Sequence, residues 1–441
     1  MKKQKKLWGN AHNKKPNEIF MEFTSGKDVY ASKPFDEILI PYDIKTNKAH
    51  IKMLYKQGLL TLQEYKKLDK ALDKVQKLYE KGEFLINPAL EDVHTNIENK
   101  VTELVGDEIG GKIHTARSRN DQVTSDMYLY LHDEVDYFLS EISNLILNLK
   151  TQSTKYSQTP CPGFTHYQPA TVTSFGKILD AFKSMFERDL LKLKHLKETY
   201  NFSPLGAVTG YSTTLDIDPN ITAAELGYKN IFKNSIDVIT NRGEFEMTFA
   251  NCLSGFLIHA SMMAQTFIIF STQQFGYIVL PDEFTTGSSV MPQKKNPDAL
   301  EIIKSKSAGA IGVTTAIQSI LSASFIGYNR DTQEIKYKIM SLLEDCKYIP
   351  YILSKIVRNL KVNKQKMLEE TQKYFINSTE VMESLMKKSK LPMRKSKEII
   401  EMAINESIKE NSLDKITKSA LEKSLKKARI YRIMELEVFL K

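Results

Sequence analysis

The ten residues from Gly287 to Asn296 read Gly-Ser-Ser-Val-Met-Pro-Gln-Lys-Lys-Asn, setting a glycine, two hydroxyls, two cations and an amide just ahead of an apolar helical run. Asn296 is suited to cap that helix, Pro297 to its first position, and Asp298 to the positive end of its dipole. Unpaired N–H groups there, together with Lys294 or Lys295, would bind a carboxylate or the charge that develops on one during a reaction. Ser288 and Ser289 share that field, which eases the loss of a hydroxyl proton and makes either a candidate base or nucleophile. Taken alone, the same composition also describes a surface loop that merely caps a helix.

Four other segments are as dense in polar side chains. In His114–Gln122, Arg117 and Arg119 flank Ser118 ahead of a long helical run, and Asn120 or Asp121 is placed to cap it. Two planar guanidinium forks around a serine suit an anion and amide recognition loop. In Gly163–Pro169, Thr165 and His166 fall in a turn between two long helices, where neighbours can tune the imidazole for acid or base work near neutrality. Asp92 and His94 stand at a helix start in Asp92–Glu98. Tyr328 and Arg330 lead into Gln333 and Lys336, which are three apart and share a helix face. Together these segments suggest one composite acid/base site assembled at helix ends.

The elements that must position them are helical. With 441 residues, Gly 19 and Pro 14, the chain is long enough for two or three domains and poor in turn formers. Lys48–Glu83 has helical spacing interrupted by Gly58, with Thr61 able to cap the second helix. Uninterrupted amphipathic runs follow over 123–156, 174–200, 244–274, 297–325 and 335–360; the first would span roughly 50 Å at 1.5 Å per residue. Long helices with broad apolar faces imply a bundle. Phe256–Phe270 is apolar nearly all round, which points to burial on every side and a subunit interface. Strand signals are weak, as in Tyr277–Leu280, and beyond Val362 shorter helices suggest a small C-terminal domain. The expected division is 1–117, 118–361 and 362–441.

Composition narrows the chemistry. The three cysteines are far apart and the eight histidines lack ligand spacing, so neither a disulfide framework nor a bound metal is expected. There is no Gly-rich phosphate loop, so no nucleotide cofactor is expected. The net charge of +9 is spread over helices in which Lys alternates with Glu and Asp, a solvated pattern rather than a nucleic-acid face. No run reaches the length of an uninterrupted membrane span, and the basic N-terminus has no apolar region behind it, so a cytoplasmic protein without membrane contact is expected.

At the level of whole motifs, GSSVMPQKKNPDALE resembles the signature of the fumarase and aspartase superfamily, and its MPQKKNPD form resembles the argininosuccinate lyase family. HTARSRNDQ, DVHTNIE, GFTHYQPA, SPLGAVTGYS and YNRDTQEIK resemble segments of that family too, so the likeness runs from about Asp28 to about Arg394. It implies an all-α, three-domain lyase fold whose central long-helix bundle forms the multi-helix core of a homotetramer, each active site gathering segments from three subunits. The implied reaction is reversible elimination of argininosuccinate to arginine and fumarate, without a cofactor. By resemblance Ser288 is the base, His166 the general acid toward the leaving guanidinium, Lys294 and Asn296 the holders of the charge-rich intermediate, and Glu301 the group that orients the histidine. Older descriptions of the family exchange the roles of the serine and the histidine. Ser118, Arg119, Asn120, Thr165, Tyr328, Arg330, Gln333 and Lys336, with Asp92 and His94, would bind substrate. The chain departs from the common pattern at Arg330, where many relatives carry lysine, and at Thr240–Gly243, where acids usually flank the arginine. It also departs after His166, in QPATVTSFG, and at Gly26, where a serine is frequent. The rival expectations are a fumarate-releasing lyase for another N-substituted aspartate, and a non-enzymatic helical tetramer.

Overall fold

The computed structural model describes residues 17–19, 35–87, 90 and 92–430; Gly26 lies outside them. Regular structure in these residues is overwhelmingly helical, as expected of an all-α chain. The chain divides into two compact units, one of Met1–Leu145, Phe186–Gln265 and Asp282–Leu353, the other of Ile146–Met185, Thr266–Pro281 and Ser354–Lys441.

The first unit opens with α1 (Ile40–Lys56) and α2 (Leu62–Glu80), the hairpin anticipated from Gly58 and Thr61. Gly58 takes φ +74°, a conformation that costs residues with a Cβ. Thr61 and Glu64 form a reciprocal capping box, worth about 1 kcal/mol. Next come α3 (Val93–Val105) and the long α4 (Arg119–Lys155), whose residues up to Leu145 belong to this unit. After α5 (Phe175–Thr199) come the short α6 (Ser235–Thr240) and α7 (Glu244–Ser271). The core here is aromatic: Tyr200 stacks on Phe245 at 4.6 Å, and Tyr128 meets Phe245 edge-on at 5.2 Å. Phe186 lies 5.4 Å from Phe256 along the same interior. Helix α7 is long and apolar enough by composition to cross a membrane, yet Phe245, Phe249, Leu253, Leu257 and Ala260 are buried within the unit. Burial accounts for only part of that apolar composition: Ile258 and Met262 are exposed, so the burial on every side expected for Phe256–Phe270 is not found within the chain.

Also in this unit are the bridge pair β4 (Thr286–Gly287) and β5 (Lys295–Asn296), then α8 (Asp298–Ser322). The run 335–360, expected as one helix, is two: α9 (Gln333–Cys346) and α10 (Ile349–Asn359). Pro350 is the reason, since its ring offers no N–H to the carbonyl four residues back and clashes with it.

The second unit contains an antiparallel hairpin where only a turn was expected. Its strands β1 (Pro160–Thr165) and β2 (Gln168–Ser174) are joined by His166 and Tyr167, with a register irregularity between Gly163 and Phe164. Phe164 packs against Phe270 and Phe275 at 6.1 and 5.8 Å, which anchors the hairpin. β3 (Ile278–Val279) pairs with β6 (Lys361–Val362). The C-terminal helices α11 (Ser378–Ser389), α12 (Met393–Lys409) and α13 (Lys418–Lys427) close on Val381, Leu385, Ile399, Ala403 and Leu421.

Candidate active site

The Ser288 loop hangs between β4 and β5, so a two-residue bridge fixes both its ends ahead of α8. Asn296 does not cap α8 as expected. Pro297 occupies the cap position without a side-chain bond, and Asn296 sits in β5, donating to Thr286 Oγ1 at 3.3 Å and to Gly287 O at 3.5 Å. Asp298, in the first turn, accepts a hydrogen bond from Thr286 Oγ1. Ser288 Oγ accepts from Val290 N at 3.2 Å and Met291 N at 3.0 Å. Two amides aimed at one hydroxyl oxygen favour negative charge there, which is what a serine base requires. Lys295 pairs with Asp282 at 2.7 Å, whereas Lys294 is exposed and makes no ion pair among the described residues. Of the two cations, Lys294 is therefore the one available to an anion. Glu301 is exposed one turn into α8.

In the second unit, Thr165 ends β1 and pairs in register with Gln168, leaving His166 and Tyr167 as a two-residue turn. Both have positive φ, 50° and 62°, in a turn that normally uses Asn-Gly. Holding two bulky residues there costs on the order of 1–2 kcal/mol each, and such strain gathers at functional sites. His166 is exposed and Tyr167 is 88% exposed, so the hairpin presents the imidazole outward from a stiff tip.

The 118–120 segment starts α4. The expected cap was Asn120 or Asp121; the structure corrects this to Ser118, whose Oγ accepts from Asn120 N at 3.2 Å. Asp121 reaches back instead, accepting from Ser118 N at 3.0 Å. Arg119 is held over α3 by Asp92 at 3.6 Å and Glu98 at 3.3 Å, so these two acids aim its guanidinium. Asp92 also caps α3 through Thr95 N.

Behind the segment lies a buried polar cluster. His94 is 1% exposed; its Nδ1 is 3.0 Å from Asp43 Oδ1 and 3.2 Å from Asp126 Oδ2. A solute could meet His94 only if this cluster opened. Gln122 donates to Asp43 Oδ1 at 2.5 Å, Asn47 to its Oδ2 at 2.8 Å, and Arg117 to Asn47 Oδ1 at 2.7 Å. Burial alone would raise the Asp43 carboxyl, but His94 and Arg117 outweigh it and hold it at about 2. Burial pushes Asp126 well above the usual carboxylate range, and the Asp43 charge adds to that. Asp43, His94 and Asp126 have donor atoms within 4.8 Å of one another, the spacing of a metal site. The adjoining Arg117 guanidinium already supplies positive charge, and Asp43 already accepts hydrogen bonds on both oxygens, so the cluster fits an internal ion network better than a cation cage.

Further along the first unit, Tyr328 lies under Arg242, whose Cζ is 5.3 Å from the ring. Arg330 is exposed and Gln333 half-buried at the start of α9. Lys336 is only 6% exposed and bonds Asp36 at 2.6 Å, so its charge is already partnered. Asp36, Asp43 and Asp126 were not anticipated, because nothing in their local spacing marks partners as far as 79 or 300 residues away.

A family profile described as Lyase matches residues 21–312. The argininosuccinate lyase of Ruthia magnifica subsp. Calyptogena magnifica is 35% identical over 395 residues, covering 90% of this chain and 80% of that one. The chain belongs to the argininosuccinate lyase family of the fumarase/aspartase superfamily. As such it is a carbon–nitrogen lyase. A second relative, the argininosuccinate lyase of Caldanaerobacter subterraneus subsp. tengcongensis, is 36% identical over 407 residues, 92% of this lyase and 90% of its own length. Among solved structures, EDDS lyase in complex with formate has a TM-score of 0.84 at 22% identity, covering 97% of this lyase and 84% of that chain. Class II fumarase from Schistosoma mansoni gives 0.75 at 16% identity, with 95% and 94% covered. At these identities the two structures speak for the fold of the lyase alone.

Proposed function

We propose that this lyase cleaves argininosuccinate reversibly to arginine and fumarate. The observation that carries the reading is the Ser288 loop, where a serine oxygen receives two backbone amides beside the exposed Lys294 at a helix entrance. Relatives of 35% and 36% identity that bear the argininosuccinate lyase name support the choice of substrate.

The difficulty of such an elimination is the weakly acidic Cβ proton beside a carboxylate. Ser288 Oγ removes that proton, and the electron pair moves into the adjacent carboxylate, where Lys294 and Asn296 stabilise the second negative charge. The pair then returns to form the carbon–carbon double bond as the Cα–N bond breaks. His166 supplies a proton to the departing guanidinium nitrogen, directly or through water, with Glu301 orienting the imidazole. Ser118, Arg119, Asn120, Thr165, Tyr328, Arg330 and Gln333 hold the substrate, with Asp92 fixing Arg119, His94 supporting the segment from behind, and the buried Lys336, paired with Asp36, supporting the start of α9. Ser288 and His166 belong to different compact units, and we propose that the working site is shared between copies in a cytoplasmic homotetramer. Each protomer would comprise three domains, 1–117, 118–361 and 362–441.

A panel of N-substituted aspartates scored by fumarate absorbance tests the substrate. Argininosuccinate should give the highest kcat/KM by at least about 100-fold, within the discrimination that pocket contacts with the leaving half can supply. A faster reaction with another member would reassign it.

A further inference from the structure

Asp121 does more than finish a helix cap. Its carboxylate is 0% exposed and accepts three backbone amides: Oδ1 from Ser118 N at 3.0 Å, Oδ2 from Gly206 N at 3.2 Å and from Val208 N at 2.9 Å. Capping alone needs the first of these. The other two clasp a turn 85 and 87 residues away along the chain.

That turn is under constraint. Gly206 has φ +104°, and a Cβ there would meet Pro219 Cγ at 2.6 Å. Val208, a β-branched residue, is held at φ +54°, which a surrounding structure must enforce. Ala207 is packed with Val238 and Ile239 of α6. Gly210 N donates to Ala207 O at 2.8 Å, and Ser235 Oγ, from the first residue of α6, donates to Gly210 O at 2.9 Å. At its other end α6 terminates in Thr240, whose Oγ1 accepts from Gly327 N at 3.0 Å. Gly327 precedes Tyr328, which rests on Arg242 just beyond α6. Each link is a packed or hydrogen-bonded contact within one compact unit, so the chain of contacts from Ser118 to Tyr328 is unbroken.

We propose that Asp121 is a positioning residue: through the 206–210 turn and α6 it sets the spacing between the Ser118–Asn120 segment and the Gly327–Tyr328 loop. A substrate with an anionic end and a long guanidinium end, gripped at both segments, would bind in proportion to how well that spacing is kept. The proposal rests on the reading above that these two segments bind substrate. Asp121 itself touches no reacting atom.

Two variants test it. Asp121→Asn exchanges one acceptor oxygen for a donor, so the three amides can no longer all be satisfied. Thr240→Val removes the acceptor of Gly327 N at nearly constant volume, far along the chain from residue 118. Each should raise KM for argininosuccinate about tenfold, a typical coupling magnitude, with kcat within about threefold. The double variant should raise KM by much less than the product of the two, because both break one path. Independently of turnover, hydrogen exchange on the full-length unliganded protein should speed up about tenfold at Gly327 in Asp121→Asn, though the Thr240 acceptor is intact there. It should speed up likewise at Gly206 and Val208 in Thr240→Val. Unchanged exchange at the remote amides in either folded variant, or KM effects that multiply, would overturn the relay. If the unaltered protein releases no fumarate from argininosuccinate, the functional reading fails, and the exchange measurement still decides the relay.

Discussion

At the scale of single residues, the buried cluster behind the 118–120 segment makes the sharpest statement about protonation. Asp43, ordinarily near 3.8, is held at about 2, while Asp126 beside it is pushed well above the usual carboxylate range by burial and by the Asp43 charge. The site disfavours ionisation of Asp126, and an amide is close to a carboxyl in size, so Asp126→Asn should leave Tm near that of the unaltered protein. Asp43→Asn removes the ionised partner of His94 and Arg117 and should cost about 3–5 kcal/mol. The sign with pH follows from the depressed value. The Asp43 contribution is complete above pH 4 and is lost as pH falls toward 2, so Asp43→Asn should flatten the acid limb of stability measured by thermal melts from pH 2 to 7. The cluster was not legible in the sequence: His94 stood out in its polar segment, but Asp43 and Asn47 look like ordinary polar breaks in a helical pattern until the fold brings them beside it.

Elements show where the sequence spoke clearly and where it did not. Long helices were legible because apolar spacing repeats over many turns, and the Thr61 capping box is a local signal read locally. The break between α9 and α10 was available in Pro350, but the apolar spacing on either side ran on in phase and masked it. The hairpin was hidden because β1 and β2 contain Pro160, Pro162 and Pro169, and its turn is His-Tyr rather than Asn-Gly. That odd turn makes the hairpin testable. Asn tolerates the left-handed region, so His166→Asn should keep the hairpin and its melting behaviour while lowering kcat on the order of 10²–10⁴-fold, the usual contribution of a general acid. Tyr167→Gly should instead raise stability by about 1 kcal/mol in the same melts, since glycine accepts φ 62° without penalty. Loss of stability in His166→Asn would make the residue a structural turn former.

For the whole molecule, the Ser288 loop, the 118–120 segment and the Tyr328 loop belong to one compact unit and the His166 tip to the other. Family membership was legible because the Gly287–Asn296 run and its companion segments occur together; the packing that holds them was not, since it depends on contacts tens to hundreds of residues apart. The central claim is that this assembly turns over argininosuccinate with Ser288 as base. Its most direct test is fumarate release from argininosuccinate, followed by ultraviolet absorbance, for the unaltered protein and Ser288→Ala side by side. The account predicts fumarate and arginine in equal amounts from the first, and a rate lower on the order of 10³-fold from the second with the fold intact. Fumarate release at the unaltered rate from Ser288→Ala, or none from either protein, would contradict it.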